Sequence, residues 1–216
     1  MPVRKVSNRG RNVVGRFPSI KMGRMIAFES LLERDFIYLL DYDVRVEWYE
    51  EQPLTIEYLH DGQTLHYTPD FQIVEVGRQV LVECKPERFV DTEDNQRKFA
   101  IARDWCASRD WEFRVVTDQH IRAGFRLQNI KRLTPYARLA VDVSLCSRIE
   151  ACLRAAPTTT LRALAQSIDP ADPQRIIACL LHLAYYHHLE LLLDTAPLSE
   201  DMTVAWPSQA CLELKP

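Results

Sequence analysis

Phe28, Leu31, Leu32, Phe36, Leu39 and Leu40 recur at helical spacing, which predicts an amphipathic helix over residues 28–40. The pattern then changes to runs of β-branched and aromatic residues. VRVEWYE from Val44 and LTIEYL from Leu54 predict strands, and Asp61-Gly62 predicts a hairpin turn before QTLHY. FQIVEV and QVLVECK flank Gly77-Arg78, a second hairpin with Gly at the first central position of a type II′ turn. A helix from about Asp94 to Ser108 precedes the strand WEFRVVT. Helix, several strands, helix, strand is the order of an α/β sheet flanked by helices.

Near Thr134-Pro135 the pattern changes again and turns helix-rich from Ser144. SLCSRIEACLRAA, TTLRALAQSI and PQRIIACLLHLAYYHH predict three short amphipathic helices, and LELLLD and MTVAW predict a β-wing across APLSED. This is the outline of a small winged-helix-like domain. The predicted organisation is therefore a basic N-terminal arm over 1–24, an α/β domain over 25–135 and a winged-helix-like domain over 143–216.

Composition narrows the class. The chain has 216 residues, 47% hydrophobic and 26% charged, which is ordinary globular usage rather than that of a largely disordered chain. No apolar run reaches the ~18 residues of a membrane span, and no apolar core follows the basic N-terminus, so a cytoplasmic protein is expected. The six cysteines form no C-x-x-C pair and read as reduced thiols, and the six histidines show no structural zinc spacing.

The net charge of -3 conceals two cationic strips. Arg4, Lys5, Arg9, Arg11, Arg16, Lys21 and Arg24 precede the first acidic residue, Glu29. Arg122, Arg126, Lys131, Arg132 and Arg138 lie between Asp118 and Asp142 without an acid. Both strips suit a phosphate backbone, and both also suit a solvated surface. From Val143 onward five basic residues face eight acidic ones, which disfavours DNA binding there and leaves protein docking.

The chemistry concentrates on the second hairpin. With Gly77-Arg78 as its loop, Val76 pairs with Gln79, Gln72 falls opposite Glu83, and Asp70 falls opposite Lys85. Strand alternation sends Glu83 and Lys85 to one side and Cys84 to the other. Asp70 joins the first pair, diagonal to Glu83 at ~7–8 Å. Two carboxylates so placed can converge on one ion through Mg–O bonds of ~2.0–2.1 Å. A three-residue turn would invert the parity. The same residues also fit a salt-bridged, solvated edge; the apolar run before Glu83 favours a central strand, where a terminal charge pair implies use.

Thr68-Pro69-Asp70, twelve residues and then Glu83-Cys84-Lys85 resemble the PD-(D/E)-x-K nuclease signature. With S-L-L-E-R-D-F from Ser30, E-Q-P-L from Glu51, Y-T-P-D-F, V-E-C-K-P and V-T-D-Q-H-I from Val116, residues 15–125 resemble TnsA, the endonuclease subunit of heteromeric transposases. The resemblance implies a restriction-endonuclease-like mixed sheet flanked by helices. It also implies an active site of Glu33, Asp70, Glu83 and Lys85. Asp70, Glu83 and the Cys84 carbonyl would hold Mg²⁺, with Mn²⁺ as an alternative, Glu33 would complete the site, and Lys85 would orient water. Where this chain has Glu83 the family also carries Gln. Ser30-x-x-Glu33 reads equally as a capping box, and Gln52, in the matched E-Q-P-L loop, reads either as a support of the site or, the safer reading, as a turn former before Pro53.

The expected function is metal-dependent cutting of one phosphodiester at each transposon 5′ end, in double-stranded DNA. The implied partners are a TnsB-type transposase and a TnsC-type ATPase regulator. Two rivals stand beside it: a non-catalytic DNA-binding or adaptor protein using the winged helix, and a stand-alone restriction or repair nuclease.

Overall fold

The computed structural model describes residues 13–207. The chain divides into two compact units between Ala123 and Gly124. The boundary expected at residue 135 thus moves upstream, because the helix that begins at Arg126 packs with the second unit, where Asn129 bonds the carbonyls of Leu193 and Ala196.

The first unit opens with β1 (Gly15–Pro18) and β2 (Met25–Phe28), an antiparallel pair. This corrects the reading of residues 15–24 as part of an arm. Asp41 is the anchor: its carboxylate accepts hydrogen bonds from the Ser19 hydroxyl, the Ile20 and Lys21 amides and the Tyr49 hydroxyl. Lys21 Nζ donates to the carbonyls of Leu40, Asp43 and Val46 at 2.5–2.7 Å. Its ammonium therefore closes the C-terminal end of the following helix, where free carbonyls and the helix dipole favour a cation. Residues 1–12, with Arg4, Lys5, Arg9 and Arg11, lie outside the described residues.

Helix α1 (Leu31–Tyr42) starts at Ser30, whose hydroxyl accepts the Glu33 amide. Then come β3 (Val46–Glu51), the hairpin β4 (Ile56–His60) and β5 (Gln63–Tyr67), β6 (Phe71–Glu75) and β7 (Arg78–Lys85). Helix α2 (Glu93–Ala107), β8 (Glu112–Thr117) and the short α3 (Asp118–Ile121) complete the unit. Strands β3, β6, β7 and β8 form one sheet in that order, antiparallel except for the parallel β7–β8 pair. β7 is central, as its apolar run predicted. Alternation divides its contacts: the Phe71 face meets Phe36 of α1 at a centroid distance of 5.7 Å, while Leu81 packs with Ile56, Tyr67, Ala102 and Cys106 beneath α2.

The β4–β5 turn falls at Asp61-Gly62 as expected, with φ of 48° and 74°. The β6–β7 turn does not fall at Gly77-Arg78. Glu75 pairs with Arg78, and the central residues are Val76 and Gly77, with φ of 50° and 72°. Two left-handed residues make a type I′ turn, in which glycine takes the second central place, as it does in Asp61-Gly62. Gly77 donates its amide to Glu47 Oε1 and Val76 donates to the Arg45 carbonyl, which hold the turn.

The second unit contains α4 (Arg126–Leu133), α5 (Val143–Ala155), β9 (Thr158–Thr160), α6 (Leu161–Ile168), α7 (Pro173–Tyr185), β10 (Glu190–Leu191) and β11 (Thr203–Ala205). The three later helices follow the predicted segments, and β10 and β11 pair through Leu191 and Val204. β9, too short to carry a period, pairs with β11 through Thr159 and Val204.

Candidate nuclease site

The corrected turn moves the β6–β7 register by two residues. Phe71 pairs with Val82, so continuing by one residue sets Asp70 opposite Glu83 rather than opposite Lys85. An even shift preserves parity, so the side-chain alternation read from the sequence survives. Direct opposition brings Cβ atoms to ~4.5–5.5 Å, closer than the expected diagonal. Asp70 lies at the entry to β6 after Pro69, and its Oδ2 accepts the Cys84 amide at 2.8 Å. Glu83, 5% exposed, accepts the Tyr67 hydroxyl on Oε2 at 2.9 Å and meets Lys85 Nζ through Oε1 at 2.8 Å. Lys85 keeps a quarter of its side chain open to solvent.

Glu33 arrives from the first turn of α1. Its Oε2 accepts the Glu29 amide at 2.7 Å while its own amide is capped by Ser30, a reciprocal arrangement close to a capping box. The carboxylate also lies within electrostatic range of Glu83 and Asp70. Capping and proximity to the carboxylates therefore coexist in this residue.

The electrostatics follow from the crowding of acids. Burial, then the charges of Glu83 and Glu33, push the Asp70 carboxyl well above the ordinary range, against the pull of the Cys84 amide and Lys85. Burial also raises Glu33, reinforced by Glu29 and Glu83 and opposed by its hydrogen bonds. Burial works to lower the Lys85 ammonium, but Glu83 and Asp70 outweigh it and the net shift is upward, so Lys85 is a cation at neutral pH. The Tyr67 phenol is raised by burial and by Glu83, so it stays a donor.

Among the described residues no three His, Cys, Asp or Glu side chains form an ion cage. The set implied by the resemblance needs fewer: two carboxylates and a main-chain carbonyl, with water for the rest. The residues fit such an ion. Hard oxygens stand opposite one another and like charges repel there, a repulsion that a divalent cation would offset. The buried Gln52 Oε1, beside Asp70 in the register, has no hydrogen-bond partner among the described residues.

Beside Lys85 opens a cleft of about 640 Å³ lined by Leu32, Pro86, Glu87, Arg88, Asp118, Gln119 and Arg122. Asp118 accepts the Glu87 amide at 2.8 Å, and Arg88 stacks over Phe89 at 4.7 Å.

Among the described residues, most cations of the two strips have protein partners. Lys21 is bonded as described, and Arg24 pairs with Glu51 at 2.7 Å. Arg122 binds the buried Asp35, Arg126 pairs with Asp194, and Arg132 donates to the Leu198 carbonyl. Lys131 and Arg138 also have partners. Arg16 is exposed on β1. Lys21 and Arg24 are therefore withdrawn as phosphate contacts, because a basic run says nothing of acids brought near by folding. Sequence reasoning missed Tyr67, although Y-T-P-D-F placed it three residues before Asp70, and Arg88, three after Lys85.

Residues 43–118 match the family model described as TnsA-like endonuclease N terminal. The match takes in Asp70, Glu83 and Lys85 and begins after Glu33. No curated protein matches the chain. The α/β unit that sets Asp70 against Glu83 thus carries a TnsA-like endonuclease N-terminal domain, the domain of a transposase-type nuclease.

Proposed function

We propose that the protein is a divalent-ion-dependent DNA endonuclease that hydrolyses a phosphodiester at each transposon 5′ end, as one subunit of a heteromeric transposase. The opposition of Asp70 and Glu83 across β6–β7, with Lys85 Nζ 2.8 Å from Glu83, carries the reading. Asp70, Glu83 and the Cys84 carbonyl hold Mg²⁺ or Mn²⁺, and Glu33 completes the acidic set. Mg²⁺ bound there supplies a Lewis acid, lowering the pKa of water and offsetting charge on the scissile phosphate. Lys85, kept charged by its acidic neighbours, orients the attacking water and faces the phosphate. Tyr67 fixes the rotamer of Glu83.

The cleft beside Lys85 takes the strand next to the cut, with Arg88 and the Asp35-paired Arg122 as its exposed cations. Arg16, and Arg4, Lys5, Arg9 and Arg11 ahead of it, add backbone contacts. Such contacts carry no base information, which suits a subunit directed by a TnsB-type transposase and a TnsC-type ATPase in the cytoplasm. The order α5, β9, α6, α7, β10, β11 supports a winged-helix reading of the second unit. Arg175 at the start of α7 is paired with Asp169, so this domain serves protein docking rather than base reading.

The test incubates transposon-end DNA and Mg²⁺ with the protein, with and without a TnsB-type partner. Wild type cuts at the 5′ ends, and Asp70→Ala and Lys85→Ala do not. Equal cutting by the variants refutes the site, and cutting without any partner favours a stand-alone nuclease.

A further inference from the structure

Gln52 follows β3, and its main chain extends the sheet by one row. Glu51 pairs with Phe71, so Gln52 stands opposite Asp70, and its amide donates to the Asp70 carbonyl at 2.8 Å. Asp70 in turn stands opposite Glu83. Gln52, Asp70 and Glu83 thus occupy one row across three strands, each ~4.5–5.5 Å from the next.

Two features exceed what a turn before Pro53 requires. Gln52 has φ of 44°, a conformation that glycine or asparagine adopts more readily than glutamine. Its side chain is also held inside, with the residue 8% exposed and Oε1 buried without a hydrogen-bond partner among the described residues. Buried amide oxygens are almost always paired, and exceptions mark unfilled functional contacts. Backbone strain of this kind likewise gathers at functional sites.

We propose that Gln52 is a positioning residue of the cutting centre. Its Oε1 accepts a hydrogen bond from water carried by the ion that Asp70 and Glu83 hold, and its amide fixes the main chain of Asp70. The inference rests on the divalent-ion reading above and deepens it.

The test titrates Mn²⁺ into the full-length wild type, Gln52→Gly, Gln52→Asn and Asp70→Ala by calorimetry, with melting recorded in ion-free buffer. Gln52→Gly keeps the amide and suits the positive φ, so it should melt at or above wild type while binding Mn²⁺ about tenfold more weakly, the usual effect of losing an outer-shell partner. Gln52→Asn, which also accepts the left-handed backbone but has a shorter side chain, should lose at least about threefold. It carries the test if the glycine variant melts low. Asp70→Ala should not bind. If a folded Gln52 variant binds Mn²⁺ as tightly as wild type, the role of Gln52 is refuted and the ion site stands. If wild type fails to bind, the ion reading and this inference fall together.

Discussion

The amide of Cys84 donates to Oδ2 of Asp70 across 2.8 Å, tying a carboxylate at the mouth of β6 to the main chain of β7. The bond sets the carboxylate against the strand that carries Glu83 and Lys85, and it serves an amide oxygen as well as a carboxylate oxygen. Asp70→Asn should therefore keep the fold and lose cutting by at least ~10³-fold, measured on transposon-end DNA with the partner transposase present. Retained cutting would remove Asp70 from the chemistry.

The raised Asp70 carboxyl also predicts a stability profile. Its folded-state pKa lies above the unfolded one, so the folded chain holds more protons across the interval between them. Its favourable contribution is complete below the ordinary carboxylate range and is lost as pH rises through the raised value. Without divalent ions, melting temperature relative to Asp70→Asn should fall as pH rises above the ordinary carboxylate range. A parallel pair of curves would show that Asp70 carries no such penalty.

Tyr67→Phe removes the donor to Glu83 while leaving the ring in its cluster with Ile56 and Leu81. Losing a hydrogen bond to a buried carboxylate should cost about 1.5–3 kcal/mol in urea unfolding. The freed Glu83 should slow cutting about tenfold. Unchanged values in both measurements would make the contact incidental.

Lys21→Met keeps a long apolar stem but strips three carbonyls of their donor. Unfolding should become easier by about 2–3 kcal/mol. Burial, partly offset by Asp41 and Asp43, lowers the Lys21 pKa to about 8. Above that value the folded chain binds fewer protons than the unfolded one, so the advantage of wild type over Lys21→Met should widen as pH rises towards the ordinary lysine range. Denaturant titrations below and above pH 8 read the sign.

Arg88→Ala tests the cleft without touching the carboxylates. Its side chain is exposed and stacked on Phe89, so melting should not move. DNA affinity, read by fluorescence anisotropy with Ca²⁺ in place of Mg²⁺, should fall about threefold at low salt and less at high salt. A loss independent of salt would argue against a phosphate contact.

Much of this architecture is local and was legible. The period of 28–40, the Asp61-Gly62 turn and the apolar run of β7 each specify an element within a few residues, so α1, the first hairpin and the central strand appeared where the pattern put them. The placement of Val76-Gly77 in the turn was open to the same rule that read Asp61-Gly62, and the error was harmless only because it was even.

Side-chain alternation is a property of one chain segment, and the sequence alone determined that Glu83 and Lys85 share a face with Cys84 turned away. Convergence is a property of segments far apart. Only the tertiary structure decided that Asp70 opposes Glu83, that Tyr67 reaches it, and that Glu33 enters from another element. It also decided which cations remain free. Lys21 and Arg24 resemble Arg16 in sequence, yet the end of α1 holds Lys21 and the buried Glu51 pairs with Arg24, because folding pairs charges that spacing leaves apart.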